Sequence, residues 1–158
     1  MSTRTSEHST ISLARTYDAP ASRVFAALAD PEERLQVMAG SQRLTFDFQE
    51  TDLRIGGRDV FRFGLRGRLQ YRGESLYHDI APGRRIVFTD VVSVGDIRLW
   101  IGVTTLELTP TGKRTMLKVT AHMVRLDDAE SYDGCDARYA VLLDDLERYL
   151  RHEQSPGP

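Results

Sequence analysis

A chain of 158 residues with 41% hydrophobic side chains is long enough for one domain with a core of its own. Its formal net charge is −2, with 21 basic residues scattered among 23 acidic ones, which excludes a concentrated cationic surface for nucleic acid. Cys135 is the single cysteine, so an internal disulfide and a multi-cysteine metal centre are both excluded.

Residues 1–9 are polar and carry no apolar leader-like stretch, so a disordered N-terminal segment and a cytoplasmic location are expected. No stretch is long and apolar enough to span a bilayer, and no membrane contact is expected. A first strand over 10–17 places Ile11, Leu13, Arg15 and Tyr17 on one face. Asp18 or Ala19 then starts a short helix with Pro20 in its first turn, and Val24, Phe25 and Leu28 repeat at helical spacing. Asp30-Pro31-Glu32-Glu33 repeats the device for a second short helix ending near Gly40, with two acids at its positive end.

From Leu44 the apolar period changes to two, as in Phe46 and Phe48 or Leu69 and Tyr71. Gly56-Gly57 leads into a strand over 58–64, Ala81-Pro82-Gly83 and Gly95-Asp96 mark turns, and Pro110-Thr-Gly-Lys joins strands over 100–109 and 115–123. Six strands on short turns predict an antiparallel meander. The last element is a helix over about 128–152, where Tyr132, Cys135, Tyr139, Leu142, Leu143, Leu146, Tyr149 and Leu150 form an apolar stripe. Asp136, Arg138, Asp144, Asp145, Glu147 and Arg148 are assigned to its polar side. One domain over 10–152 and a disordered tail over 153–158 complete the plan.

Alternation points Trp100, Gly102, Thr104, Leu106 and Leu108 inward from one strand, and Leu117, Val119, Ala121 and Met123 from the next. Phe46, Phe48, Phe61, Phe63, Tyr71, Tyr77, Phe88, Trp100, Tyr132 and Tyr139 are too many aromatics to project outward together. They admit two readings, a solid core with satisfied tyrosine hydroxyls or the apolar wall of a ligand pocket marked by a few polar tips. The pocket would add Arg98, Thr104, Val119 and Cys135 to these walls. Arg62 and Arg98 sit in strands; pointing inward, either would need a carboxylate such as Asp59 or Asp90, or an acidic ligand. The surface helices are ordinarily charged, and no exposed apolar patch stands out.

His8, His78, His122 and His152 are far apart and form no metal-ligand spacing, so neither a metal nor a cofactor is expected. A dyad of Cys135 with His78 or His122 is conceivable, but a lone cysteine on an apolar stripe reads first as a small buried hydrophobe. Gly56-Gly57 precedes a strand rather than a helix, unlike a phosphate-binding loop.

The order of pieces resembles the START-like, or SRPBCC, superfamily with its helix-grip (Bet v 1-like) fold. Within it, the chain is similar to the bacterial branch homologous to the C-terminal domain of the heat-shock-chaperone ATPase activator. The matching pieces are Asp18-Ala-Pro-Ala-Ser-Arg-Val-Phe-Ala-Ala-Leu-Ala-Asp-Pro-Glu, Phe48-Gln-Glu-Thr-Asp-Leu-Arg-Ile-Gly-Gly-Arg and Tyr77-His-Asp-Ile-Ala-Pro-Gly-Arg-Arg-Ile-Val-Phe. Thr105-Leu-Glu-Leu-Thr-Pro-Thr-Gly and Leu142-Leu-Asp-Asp-Leu-Glu-Arg-Tyr-Leu complete them.

The resemblance implies an α+β fold in which a curved antiparallel sheet of about seven strands holds two short helices and one long C-terminal helix. The chain departs from the branch at Val37-Met38-Ala39-Gly40 (usually Trp-rich), at Arg138 and Tyr139 (often Gly-Trp) and at Ala121 (often glutamate). The implied function is binding of a small hydrophobic or amphipathic molecule between sheet and helix, by a monomer or weak homodimer. A polyketide cyclase-, dehydratase- or hydrolase-like enzyme using His78, His122 or a tyrosine is the alternative. A chaperone ATPase-activator-like cofactor is the second alternative.

Overall fold

A computed structural model describes residues 6–41, 43–65, 67–126 and 134–154, with backbone alone at 135–137 and 154. Strand β1 (Ser6–Tyr17) is followed by helices α1 (Ala21–Ala29) and α2 (Pro31–Ala39). Strands β2 (Leu44–Glu50), β3 (Arg58–Leu65), β4 (Tyr71–Ala81), β5 (Arg85–Val94), β6 (Ile97–Thr111) and β7 (Arg114–Leu126) follow, then helix α3 (Gly134–Gln154). They form one seven-stranded sheet in the order β1-β7-β6-β5-β4-β3-β2, antiparallel at every step. This is the α+β helix-grip architecture that the resemblance implies.

Strand β1 begins at Ser6 rather than Thr10, because pairing with β7 out to Leu126 needs only backbone donors and acceptors. Residues 6–9 are therefore part of the sheet and correct the expected boundary of the disordered segment. At α1 the N-terminal boundary falls at Pro20 rather than at Asp18 or Ala19. Pro20 itself holds the N-cap position, and its carbonyl accepts from Arg23 N at 3.0 Å and Val24 N at 3.1 Å. At α2 the expected device is present, with Asp30 Oδ1 accepting from Glu32 N (3.0 Å) and Glu33 N (3.3 Å) and Pro31 opening the helix. Residues 128–133 of the expected last helix lie outside the described residues.

The sheet bends where its register shifts, at Phe48/Glu50, Tyr77/Asp79 and Val92/Ser93. Gly73 permits one close approach, since a Cβ there would stand 2.3 Å from the Phe61 ring. Inward and outward positions alternate along β6 and β7 as expected, burying Trp100, Thr104, Leu106 and Leu108 and then Leu117, Val119, Ala121 and Met123.

Helix α3 lies across the concave face, with Leu143, Leu146 and Leu150 buried. Tyr17 Oη donates to Leu143 O at 2.8 Å, and Arg15 pairs with Asp144 and, at 3.6 Å, with Glu147. Arg23 joins α1 to the other helices through Glu33 (2.6 Å) and Glu153, while Tyr149 Oη donates to Glu33 at 2.8 Å. The helices thus brace one another, with α1 against β6 and β7, α2 against β2 and α3 against β1, and leave a space between them and the sheet. Among the described residues, no helix is long and apolar enough to cross a membrane.

Candidate functional site

The alternation of β3, β4 and β5 determines what faces that space. Asp59 shares the inward face of β3 with Phe61 and Phe63, Ser75 that of β4 with Tyr77, and Asp90 that of β5 with Phe88. The register places Asp59 opposite Ser75, Ser75 opposite Asp90, and Asp90 opposite Gly102. Two carboxylates therefore lie in one row across the sheet, separated by about 10 Å, two strand spacings.

Above this row is a cavity of about 120 Å³. Its sheet side carries Phe46, Phe48, Phe61, Tyr77, Phe88 and Leu106, and its helix side Leu28, Val37, Met38, Val141 and Leu142. The half-buried liners cluster on β2 and the helix residues facing it (Leu44, Phe46, Met38, Leu142), so this is the accessible side. An apolar cavity of about 150 Å³ is known to admit benzene, whereas drug-sized pockets start near 300 Å³. The space is therefore on the scale of one ring.

The aromatic wall is built from cross-strand pairs. Phe46 opposes Phe63 and Phe48 opposes Phe61 in the β2–β3 register. Ring centroids are 5.5 Å apart in the first pair, which is stacked, and 5.6 Å apart in the second. Phe63 in turn meets Tyr71 at 5.3 Å, and Tyr77 meets Phe88 at 5.8 Å.

Each carboxylate of the row holds a buried arginine from a helix. Arg34 of α2 is 7% exposed and Asp59 3%; Arg34 Nη2 lies 2.9 Å from Asp59 Oδ2 and donates to Thr51 Oγ1 at 3.1 Å. Arg34 Nη1 donates to Tyr77 Oη at 3.2 Å, and Tyr77 Oη donates to Asp59 Oδ2. Asp59 Oδ1 accepts from Asp52 N at 3.3 Å, so both oxygens are used. The Arg34 guanidinium also stands 4.8 Å from the centre of the Phe48 ring.

The second cluster repeats the residue types. Arg138 of α3 is 9% exposed and Asp90 1%, and Arg138 Nη2 donates to Asp90 Oδ2 at 2.7 Å and to Tyr139 Oη at 2.8 Å. Tyr139 Oη and Thr104 Oγ1 share a hydrogen bond of 2.6 Å. The guanidinium stands 5.9 Å from both the Phe63 and Trp100 rings and 4.8 Å from that of Tyr139. Asp90 Oδ1, however, is buried and receives no hydrogen bond from any donor among the described residues. Burial pushes the phenols of Tyr77 and Tyr139 up, against the neighbouring guanidinium that favours their ionised forms. Among the described residues, no group of three or more His, Cys, Asp or Glu side chains is placed to hold a metal ion.

The family model for activator of Hsp90 ATPase homolog 1-like proteins matches residues 18–151. The chain belongs to this family. Its fold is that of the START-like superfamily, a ligand-binding fold. Protein Mll3558 from Rhizobium loti superposes with a TM-score of 0.77 at 31% identity, over 92% of this chain and 99% of that one. A protein from Rhizobium leguminosarum gives 0.80 at 29% identity, over 95% and 99%. Protein CV1439 from Chromobacterium violaceum gives 0.72 at 27% identity, over 88% and 94%. No curated protein matches the chain.

In this activator-homologue chain, six of the aromatics considered for a pocket wall lie around the cavity: Phe46, Phe48, Phe61, Tyr77, Phe88 and Tyr139. Phe63, Tyr71, Trp100, Thr104 and Val119 do not line it; Phe63, Trp100, Thr104 and Val119 are buried and Tyr71 packs against the core. Tyr132 and the Cys135 side chain lie outside the described residues. Arg98 is exposed, as is Arg62, so neither enters the pocket. Asp59 and Asp90 are the carboxylates that hold buried cations, but the cations come from helices, where the Coulombic gain needs no strand residue to turn inward. Arg138, assigned to the polar side of the last helix, is buried.

Ser75 and Asp145 line the cavity and were not expected there. The inward parity of Asp59, Ser75 and Asp90 was a readable signal, since a carboxylate at such a position demands a cation. His78 and His122 are exposed and bond to Thr89 (2.8 Å) and Thr10 (3.1 Å), so neither joins the cavity. Leu76, Ile101 and Val103 are exposed on the outer face of the sheet, correcting the expectation that no apolar patch stands out.

Proposed function

We propose that this protein reversibly binds a small hydrophobic or amphipathic molecule, about one ring in size, in the cavity between β2–β5 and the helices. The carrying observation is an apolar space of about 120 Å³ bounded by Phe46, Phe48, Phe61 and Leu142 above a polar row. Affinity comes from burial of the ring, at about 25 cal/mol per Å² before the cost of ordering is subtracted. The two buried clusters stiffen the walls, because Arg34 ties α2 and Arg138 ties α3 to the sheet. Polyketide-sized or lipid-sized ligands would require α3 and β2 to separate.

Titration of labelled protein with toluene, followed by amide NMR, tests the reading. Shifts are expected to gather on β2–β5, α2 and α3 and to saturate. Ala27→Leu, which adds three carbons to a lining position, should weaken toluene binding while leaving the spectrum folded. Shifts confined to the outer face of the sheet would remove the cavity as the binding site.

A further inference from the structure

The two carboxylates of the row differ in one respect that bears on ligand chemistry, and the inference rests on the cavity being a binding site. Asp59 spends both oxygens on protein donors, Oδ1 on Asp52 N and Oδ2 on Arg34 and Tyr77. Asp90 spends only Oδ2, on Arg138. Its Oδ1 is enclosed and has no donor among the described residues, yet Asp90 lines the cavity. An ion-paired carboxylate accepts hydrogen bonds and offers none. A buried acceptor of that kind is usually completed by a donor, and a ligand entering the space is a source of one.

We propose that the cavity selects a ring-sized ligand bearing a hydroxyl or N–H group, and that Asp90 Oδ1 is the acceptor that reads it.

Three features fit this role. Arg138 fixes Asp90 from the Oδ2 side while its guanidinium is held by the Tyr139 hydroxyl and the surrounding rings, so the acceptor is preorganised. The residue across the register is Gly102, where a Cβ would stand 3.1 Å from Asp90 Oδ1, so the glycine keeps a side chain from crowding that oxygen. The remaining lining near the row is Ser75, Phe88 and Leu106, which supplies an apolar surround in which one polar contact orients the ring. A site built to hydrogen-bond a hydroxyl discriminates strongly against the analogue lacking it, because the protein group is then left unpaired.

Phenol and toluene are nearly equal in size, and the sign of the preference between them is the readout. A purely apolar cavity favours toluene, the less water-soluble of the two. With Asp90 Oδ1 as acceptor, phenol is expected to bind tighter by at least about tenfold in NMR titrations of the intact protein. Asp90→Asn keeps an oxygen for Arg138 and turns a donor to the cavity, so the preference should move from phenol to benzaldehyde, which only accepts. Gly102→Ala crowds Oδ1 without changing charge, and should weaken phenol while sparing toluene. Equal or tighter binding of toluene by the wild-type protein overturns the proposal and leaves the cavity reading intact. Binding of neither probe overturns both. If Asp90→Asn fails to fold, the wild-type comparison and Gly102→Ala still decide.

Discussion

The Arg34 and Arg138 clusters use the same four residue types, arginine, aspartate, tyrosine and threonine, and differ in closure. Around Asp59 both carboxylate oxygens accept hydrogen bonds, and the segment between β2 and β3 is held through Thr51 and Asp52 N. Around Asp90 one carboxylate oxygen is left over. Leaving a buried acceptor unsatisfied costs about 1–3 kcal/mol, which a fold under selection for stability alone would remove. The closed cluster ties α2 to the sheet, and the open one ties α3 to it beside the cavity. Two clusters built from the same residue types thus differ by one donor.

The largest expected effect breaks the closed cluster. Asp59→Ala leaves Arg34 buried without its counter-charge and should destabilise by about 3–5 kcal/mol, read from the urea midpoint at unchanged slope. A loss under 1 kcal/mol would show that Arg34 simply swings out to solvent. Replacing both members of the open pair, as Arg138→Met with Asp90→Leu, should be neutral or stabilising by about 1–4 kcal/mol, since apolar packing often exceeds a buried ion pair. The matching double change at Arg34 and Asp59 should instead destabilise, because Thr51 and Asp52 N lose their partners as well. Similar outcomes for the two double variants would erase the distinction drawn between the clusters.

Gly73→Ala touches neither cluster. It places a methyl against the Phe61 ring, at 2.3 Å before relaxation, and should cost about 1–3 kcal/mol by overpacking. It should also drive Phe61 into the cavity and weaken toluene, whereas the phenol-to-toluene ratio stays constant.

The smallest effects concern the hydroxyls and pH. Burial pushes Tyr17, Tyr77 and Tyr139 up. Their folded forms keep the proton after the unfolded chain has released it near pH 10. Stability contributed in this way is fully present below about pH 10 and is lost as pH rises further, with a slope of up to about 1.4 kcal/mol per pH unit for each phenol. Tyr77→Phe and Tyr139→Phe should each flatten that slope, and at neutral pH each should cost about 1 kcal/mol. Both hydroxyls accept from an arginine, but Tyr77→Phe should cost more, because Tyr77 also donates to the charged Asp59 whereas Tyr139 bonds the neutral Thr104. An unchanged alkaline slope in both variants would show that neither phenol is sealed from water.

Much of this was legible residue by residue. Asp30 and Pro31 mark the start of α2 because capping is a local event between neighbours in the chain. The buried positions of β6 and β7 follow from period-two alternation, and the same rule puts Asp59, Ser75 and Asp90 inside. The stripe on α3 failed at Arg138. Helical spacing assigns a side chain to a face, but the width of the buried arc depends on what the helix packs against. Arg98 failed for the opposite reason, since it lies near the start of β6, where the strand's inward and outward positions are not yet separated by burial.

The order of elements, the seven-stranded antiparallel plan, the family and the inward aromatic set could all be read along the chain, because each rests on local periodicity or on short motifs in register. That Arg34 reaches Asp59, 25 residues away, and that Arg138 reaches Asp90, 48 residues away, follows only from the folded arrangement. Charge pairing across such separations depends on where each helix settles on the curved sheet, and that position is a sum over the whole core rather than a property of either residue.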